Sequence, residues 1–129
     1  MEDRVNHPRH YMIGPDARPV ECIDITRHLS FTRGNAVKYL WRAGKKGDRA
    51  KALEDLDKAE WYLRELIYGE SVSGVGLDTA LAVFGLIMKP SSRLERARYE
   101  AIEELLSKRV DPIYASACID RMRGVLNRG

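Results

Sequence analysis

Apolar residues recur at helical spacing through most of the chain. From Asn35 onward, Val37, Leu40, Trp41 and Gly44 fall three and four residues apart, the interval that lines up one face of an α-helix. Lys38 and Arg42 lie on another face of that segment, with Asn35 one turn ahead. Between about Ala50 and Ile67 the stripe Ala52, Leu56, Ala59, Leu63 and Leu66 alternates steps of four and three, which predicts a long amphipathic helix. Glu54 with Lys58 and Glu60 with Arg64 add i,i+4 pairs worth about 0.2–0.5 kcal/mol each.

Breakers and caps divide the rest. The first twenty residues, with Asn6-His7-Pro8, Gly14-Pro15 and Pro19, read as irregular structure. Pro19 followed by Val20 and Glu21 predicts a helix to about Leu29, and Ser30 and Gly34-Asn35 break the pattern. Gly44 and Gly47, with Lys45 and Lys46 between them, end the next helix where its dipole favours cations. Ser71 to Gly76 reads as a linker. Three helical patterns follow: Leu77 to Met88, stopping before Pro90; Ser92 with Glu95 as a capping box opening a helix to about Arg109; and Asp111-Pro112 opening a helix to about Leu126. No segment sustains strand alternation and no repeat is present. The expectation is an all-α fold, a small bundle of about five helices with an irregular N-terminal segment. Residues 1–69 would carry the site, and residues 70–129 would form a helical extension for packing or oligomerisation.

Composition narrows the function classes. Of 129 residues, 44% are hydrophobic and 32% charged, enough for a core and a solvated surface and unlike a disordered chain. A net charge of +3 is too small to argue for nucleic acid by itself. The longest apolar stretch, Leu77 to Met88, is about half of the ~20 residues a bilayer span needs, so no membrane role is expected. Met1 to His10 is polar, with no secretory pattern. Cys22 and Cys118 have neither metal nor redox spacing, and two free thiols in a reducing cytosol are expected.

No Gly-x-x-x-x-Gly-Lys-Ser/Thr loop, nucleophile elbow or histidine pair on one helical face is present, and Gly74-Val75-Gly76 lacks a dinucleotide-binding context. Three features carry chemistry. Asn6-His7-Pro8-Arg9-His10-Tyr11 combines groups that surround anions and move protons near neutral pH; its plain alternative is a polar N-terminus. Lys38, Arg42, Lys45 and Lys46, interleaved with Tyr39 and Trp41, offer cations for phosphate and rings for a base, or else a solvated basic face over a core tryptophan. Glu21 and Asp24 on one helix, and Glu54, Asp55 and Asp57 on another, suit a hard cation such as Mg²⁺, or simply complement helix dipoles.

Together, Val5 to Tyr11, Glu21-Cys22-Ile23-Asp24, Gly34 to Gly47 and Leu53 to Leu63 resemble a family of short phage and prophage proteins. That family is catalogued as a domain of unknown function and sometimes called SaV-like. The resemblance covers residues 5 to 67; it implies a nucleotide-handling role, because one member is described as a nucleotide kinase that phosphorylates deoxynucleoside monophosphates without a P-loop. Carried over by motif position, it implicates Asn6, His7, His10, Tyr11, Glu21, Asp24, Asn35, Lys38, Tyr39, Arg42, Lys45, Lys46, Asp55 and Lys58. Of these, His7, His10 and Asp55 are the catalytic candidates. Asn6, Tyr11, Asn35, Lys38, Tyr39, Arg42, Lys45, Lys46 and Lys58 are the nucleotide-binding ones. A weaker similarity links Glu21-x-x-Asp24 and Glu54-x-x-Asp57 to the acidic signature of MazG-like all-α nucleoside triphosphate pyrophosphohydrolases. It implies Mg²⁺ held by those four acids and assembly as a dimer or tetramer, although Asp24 stands where that signature has glutamate.

The expectations rank accordingly: a non-P-loop (deoxy)nucleotide kinase, then a MazG-like pyrophosphohydrolase, a protein that sequesters a nucleotide or nucleotide signal, and a nucleic-acid-binding regulator. The expected partners are a nucleotide and further copies of the chain, in the cytoplasm of an infected bacterial host.

Overall fold

The computed structural model describes residues 12–13, 18–69 and 74–128. Two strands, β1 (Met12–Ile13) and β2 (Arg18–Pro19), pair antiparallel with Met12 opposite Pro19 and Ile13 opposite Arg18. Six helices follow: α1 (Cys22–Thr26), α2 (Phe31–Arg42), α3 (Arg49–Gly69), α4 (Gly74–Phe84), α5 (Arg93–Leu105) and α6 (Pro112–Arg128). The expected all-α bundle is therefore present, its six helices corresponding to the six helical segments read from the sequence, with a two-residue strand pairing besides. Pro19, expected to open the first helix, instead belongs to β2, and α1 is a single short turn that starts after Glu21.

Two helical hairpins face each other. α2 packs along α3 and α5 along α6; α6 also lies on α3 and α5 on α2, while α1 bridges α2 and α4. The anticipated stripe on α3, Ala52, Leu56, Ala59, Leu63 and Leu66, is buried throughout. Its Leu56, Ala59, Leu63 and Leu66 share one core with Val37 and Leu40 of α2, Ile102 and Leu105 of α5, and Ile119 and Met122 of α6. Each large aliphatic side chain buried this way contributes roughly 1.5–3 kcal/mol.

Two buried arginines lock the hairpins together reciprocally. Arg33 of α2 donates to the carbonyls of Leu105 and Ser107 at the end of α5, the latter at 2.9 Å. Arg98 of α5 donates to the carbonyls of Leu40 (2.6 Å) and Trp41 (3.0 Å) near the end of α2. Each guanidinium thus satisfies carbonyls that a helix C-terminus leaves without intrahelical donors. This explains why α5 stops at Leu105 rather than near Arg109. It also explains why Gly34 and Asn35 do not break the chain: Ser30 caps α2, its Oγ accepting from the Arg33 amide at 3.2 Å, and Arg33 anchors the first turn.

The segment from Ser71 to Gly76 is not wholly a linker, because α4 begins at Gly74. A Cβ on Gly76 would lie 2.4 Å from the His28 carbonyl oxygen, so glycine is required there by close packing. Gly44 and Gly47, with φ of 86° and 82°, take the left-handed conformations that end α2 and turn the chain into α3. Asp111 caps α6 as expected, its carboxylate accepting from the amides of Ile113 (3.0 Å) and Tyr114 (3.1 Å).

Candidate functional site

The α2–α3 hairpin assembles aromatic rings and cations on one side. Tyr39 of α2 stacks on Tyr62 of α3, with centroids 6.0 Å apart and planes 10° from parallel. Tyr62 in turn meets Phe31 edge-on at 6.2 Å and Trp61 edge-on at 5.0 Å. Phe31 and Trp61 are 78% and 53% exposed, so the ring cluster reaches the surface. Around the Tyr39 ring lie Lys38 Nζ at 4.7 Å, Lys58 Nζ at 5.4 Å and the Arg42 guanidinium at 5.9 Å. Helical geometry dictates this grouping: Arg42 sits three residues after Tyr39, and Lys58 lies one turn before Tyr62 on the facing helix.

Acids beneath and beside these cations set their positions. Asp55 has no exposure; its Oδ2 lies 3.5 Å from Arg42 Nε and its Oδ1 lies 3.3 Å from Lys51 Nζ. Neither carboxyl oxygen accepts a hydrogen bond in the described structure. Glu54, on the exposed side, pairs with Lys58 at 2.9 Å and Lys51 at 3.4 Å. Hydrogen bonding from Lys58 and Lys51 pulls the Glu54 carboxyl below its ordinary value, and the bond to Glu54 pushes the Lys58 ammonium up. Lys38 has no carboxylate partner among the described residues. Local positive charge is therefore held in place but only partly neutralised.

A second cationic position adjoins the first at the hairpin turn. Lys45 is exposed as a residue, yet its ammonium lies over the Trp41 ring at 4.7 Å. Partial desolvation there, followed by the nearby Arg98, lowers its pKa against a smaller opposing effect of Glu95. Cys22 opens α1 close by. Burial pushes its thiol up to about 12, against the pull of Lys45 and Lys38, so the group is a neutral thiol rather than a nucleophilic thiolate at physiological pH.

The structure thus brings together Lys38, Tyr39, Arg42, Asp55 and Lys58, with Lys45 at the hairpin turn. Lys46 is an exposed residue of the same turn. Asn35, half-buried on α2, donates its Nδ2 to the Phe31 carbonyl at 2.9 Å in an exposed hydrogen bond. Asn6, His7, His10 and Tyr11 lie outside the described residues. Three of the four acids considered for a metal, Glu21, Asp24, Glu54 and Asp57, have carboxylates engaged separately. Asp24, buried, accepts from the Glu21 amide at 2.8 Å, Glu54 pairs with lysines, and Asp57 pairs with Arg123 of α6 at 3.0 Å. Among the described residues, no three carboxylate, thiol or imidazole groups gather to hold a metal ion. Sequence reasoning missed Lys51, although its i,i+4 spacing to Asp55 pointed to it, and missed Tyr62 and Phe31, which matter only once α2 and α3 pair.

Comparison with known proteins bears on the same hairpin. Residues 5–64 match the model of a family described only as a protein of unknown function, DUF3310. This bears out the resemblance read from the sequence and includes the whole ring-and-cation cluster. The chain is 37% identical over 62 residues to the gene 1.7 protein of Enterobacteria phage T3, a match spanning 45% of this chain and 38% of that protein. It is likewise 37% identical over 62 residues to the nucleotide kinase gp1.7 of Escherichia phage T7, over 45% of this chain and 32% of that protein. The matches cover only about a third of the length of these curated relatives. No solved structure matches. No helix among the described residues is long and apolar enough to cross a membrane.

Proposed function

We propose that the chain handles nucleotide phosphates, foremost as a (deoxy)nucleotide phosphotransferase that works without a P-loop. The observation that carries this reading is the convergence of Lys38, Arg42 and Lys58 on the Tyr39 ring beside exposed aromatic surface. Cations fixed before the substrate arrives stabilise the charge that a phosphoryl group spreads over its oxygens during transfer. Exposed rings supply a stacking surface for a base. The kinase name of one phage relative agrees with this chemistry.

In the reaction, an oxygen of an acceptor nucleoside monophosphate bonds to the γ-phosphorus of a donor triphosphate. The bond from that phosphorus to the donor's bridging oxygen breaks, leaving a diphosphate on each side. Arg42, Lys38 and Lys58 neutralise the phosphates, with Lys45 and Lys46 at the hairpin turn extending the cationic surface. Asp55, having no exposure, is a positioning residue that holds Arg42 and Lys51. His7 and His10 enter as proton-handling groups on the strength of the sequence alone. A divalent cation used in the reaction would arrive with the donor's own phosphates.

The test incubates the full chain with ATP and each of the four deoxynucleoside monophosphates, with and without Mg²⁺, and separates products by anion-exchange chromatography. The expected result is ADP together with a deoxynucleoside diphosphate, reduced at least tenfold by Arg42→Ala. Monophosphate plus pyrophosphate formed from a triphosphate alone would replace this reading with a pyrophosphohydrolase. Tight nucleotide binding with no product would replace it with sequestration.

A further inference from the structure

The C-terminal half contains a charged cleft that lies outside the family match and plays no part in the chemistry above. It opens between the start of α5 and the end of α6, has a volume of about 540 Å³, and is lined chiefly by Arg93, Arg96, Arg121, Arg128, Asp120 and Gly124. Four arginines from two helices therefore line one space together with a single acidic residue.

The charges in the cleft are unevenly compensated. Arg121 is paired with Glu100 at 2.6 Å, and Asp120 is engaged by Arg123 at 2.7 Å. Arg93, Arg96 and Arg128 have no carboxylate partner among the described residues. Arg93 and Arg96 also stand in the first turns of α5, where the helix dipole is already positive and cations are unfavourable. The one acid of that turn, Glu95, is directed to Arg98 by two bonds of 2.9 Å. Gly124 of α6 also lines the cleft, with the Arg128 guanidinium 3.5 Å from the position a Cβ would take there, an ordinary packing distance.

We propose that this cleft binds an oligophosphate anion through its phosphates alone. Guanidinium groups match phosphate oxygens in paired, charge-assisted hydrogen bonds. A chain of two or three linked phosphates relieves the mutual repulsion of arginines on both walls, which a single carboxylate cannot span. The lining includes no aromatic side chain, so a base gains no stacking surface and recognition rests on the phosphate chain. The site is separate from the Tyr39 cluster and stands whether or not that cluster catalyses transfer.

The experiment titrates the full chain with inorganic tripolyphosphate by isothermal calorimetry, comparing wild type, Arg42→Ala, Arg93→Ala/Arg96→Ala and Arg93→Lys/Arg96→Lys. Both arginines are exposed, and circular dichroism melts would verify that the variants fold. The alanine pair is expected to weaken the cleft's binding at least tenfold, and the lysine pair to restore part of it. Arg42→Ala, which weakens phosphate binding at the Tyr39 cluster, is the background in which both arginine pairs are also compared, so that the isotherm reads the cleft and a failure of the proposed kinase site is read separately. An unchanged isotherm for the alanine pair overturns the proposal. Displacement of tripolyphosphate by a single-stranded oligothymidylate at lower phosphate concentration also overturns it, in favour of a nucleic-acid groove.

Discussion

Replacing Asp55 by asparagine should leave the fold nearly as stable while weakening nucleotide binding. The carboxylate is fully buried, 3.5 Å from Arg42 and 3.3 Å from Lys51. At an effective dielectric near 20, each contact represents roughly 5 kcal/mol of gross attraction. Arg42 and Lys51 are 39% and 33% exposed, so water screens much of this, leaving a net of about 0.5–1 kcal/mol per pair. Opposing these gains is the burial of a full charge, which costs several kcal/mol, uncompensated by any hydrogen bond to either oxygen. An amide of the same shape escapes the charge penalty, forfeits the two ion pairs, and keeps a cost of about 1–3 kcal/mol for unsatisfied polar atoms. These contributions nearly cancel. Urea denaturation should show a change within about 1 kcal/mol, or about 3–5 °C in Tm. Arg42, freed from its anchor, should bind a deoxynucleoside monophosphate about three- to tenfold more weakly in calorimetry, or about 0.7–1.4 kcal/mol. A stability loss above about 2 kcal/mol with unchanged affinity would refute the reasoning and make Asp55 a purely structural tie between α2 and α3.

Two glycines should respond in opposite senses to alanine. Gly76→Ala places a Cβ 2.4 Å from the His28 carbonyl and should destabilise by about 1–3 kcal/mol, whereas Gly34→Ala, with its nearest contact at 3.7 Å inside α2, should stabilise by about 0.4–1 kcal/mol in urea melts. The Cys22 thiol, pushed up to about 12 from 9.0, gives stability that is full below pH 9 and is lost as pH rises toward 12, because only the unfolded thiol ionises readily in that interval; Cys22→Ser should flatten that part of the pH–stability curve. Light scattering should return a multiple of the 14.7 kDa chain mass, because large apolar side chains outside the ring cluster, Leu86, Met88 and Ile113 among them, are exposed; a monomer at micromolar concentration would count against assembly.

Much of the helical framework is legible because it follows from local rules. The α3 stripe, the Gly44–Gly47 turn and the Asp111 cap each depend on spacing or on a side chain reaching its own backbone, and all three appear in the structure. The misread boundaries share a different cause. Gly34 and Gly76 resemble breakers when composition alone is considered, but α2 is anchored by Arg33 reaching the end of α5, and α4 needs a glycine to approach His28. These are contacts between residues distant in sequence, and periodicity holds no trace of them.

The candidate site divides along the same line. Lys38, Tyr39 and Arg42 share a helix, so their grouping is visible as spacing; Lys58 and Tyr62 join only because α3 folds back on α2. The acids show most clearly why residue type alone misleads. Glu54, Asp55 and Asp57 lie within four residues, yet they face an exposed pair of lysines, the buried interior and Arg123 of α6, respectively. An α-helix turns about 100° per residue, which directs neighbouring side chains to different surroundings. Three acids within four residues therefore supply exposed pairing for Lys51 and Lys58, one buried anchor for Arg42 and one tie to α6, and the second of these helps to hold one of the three cations that converge on Tyr39.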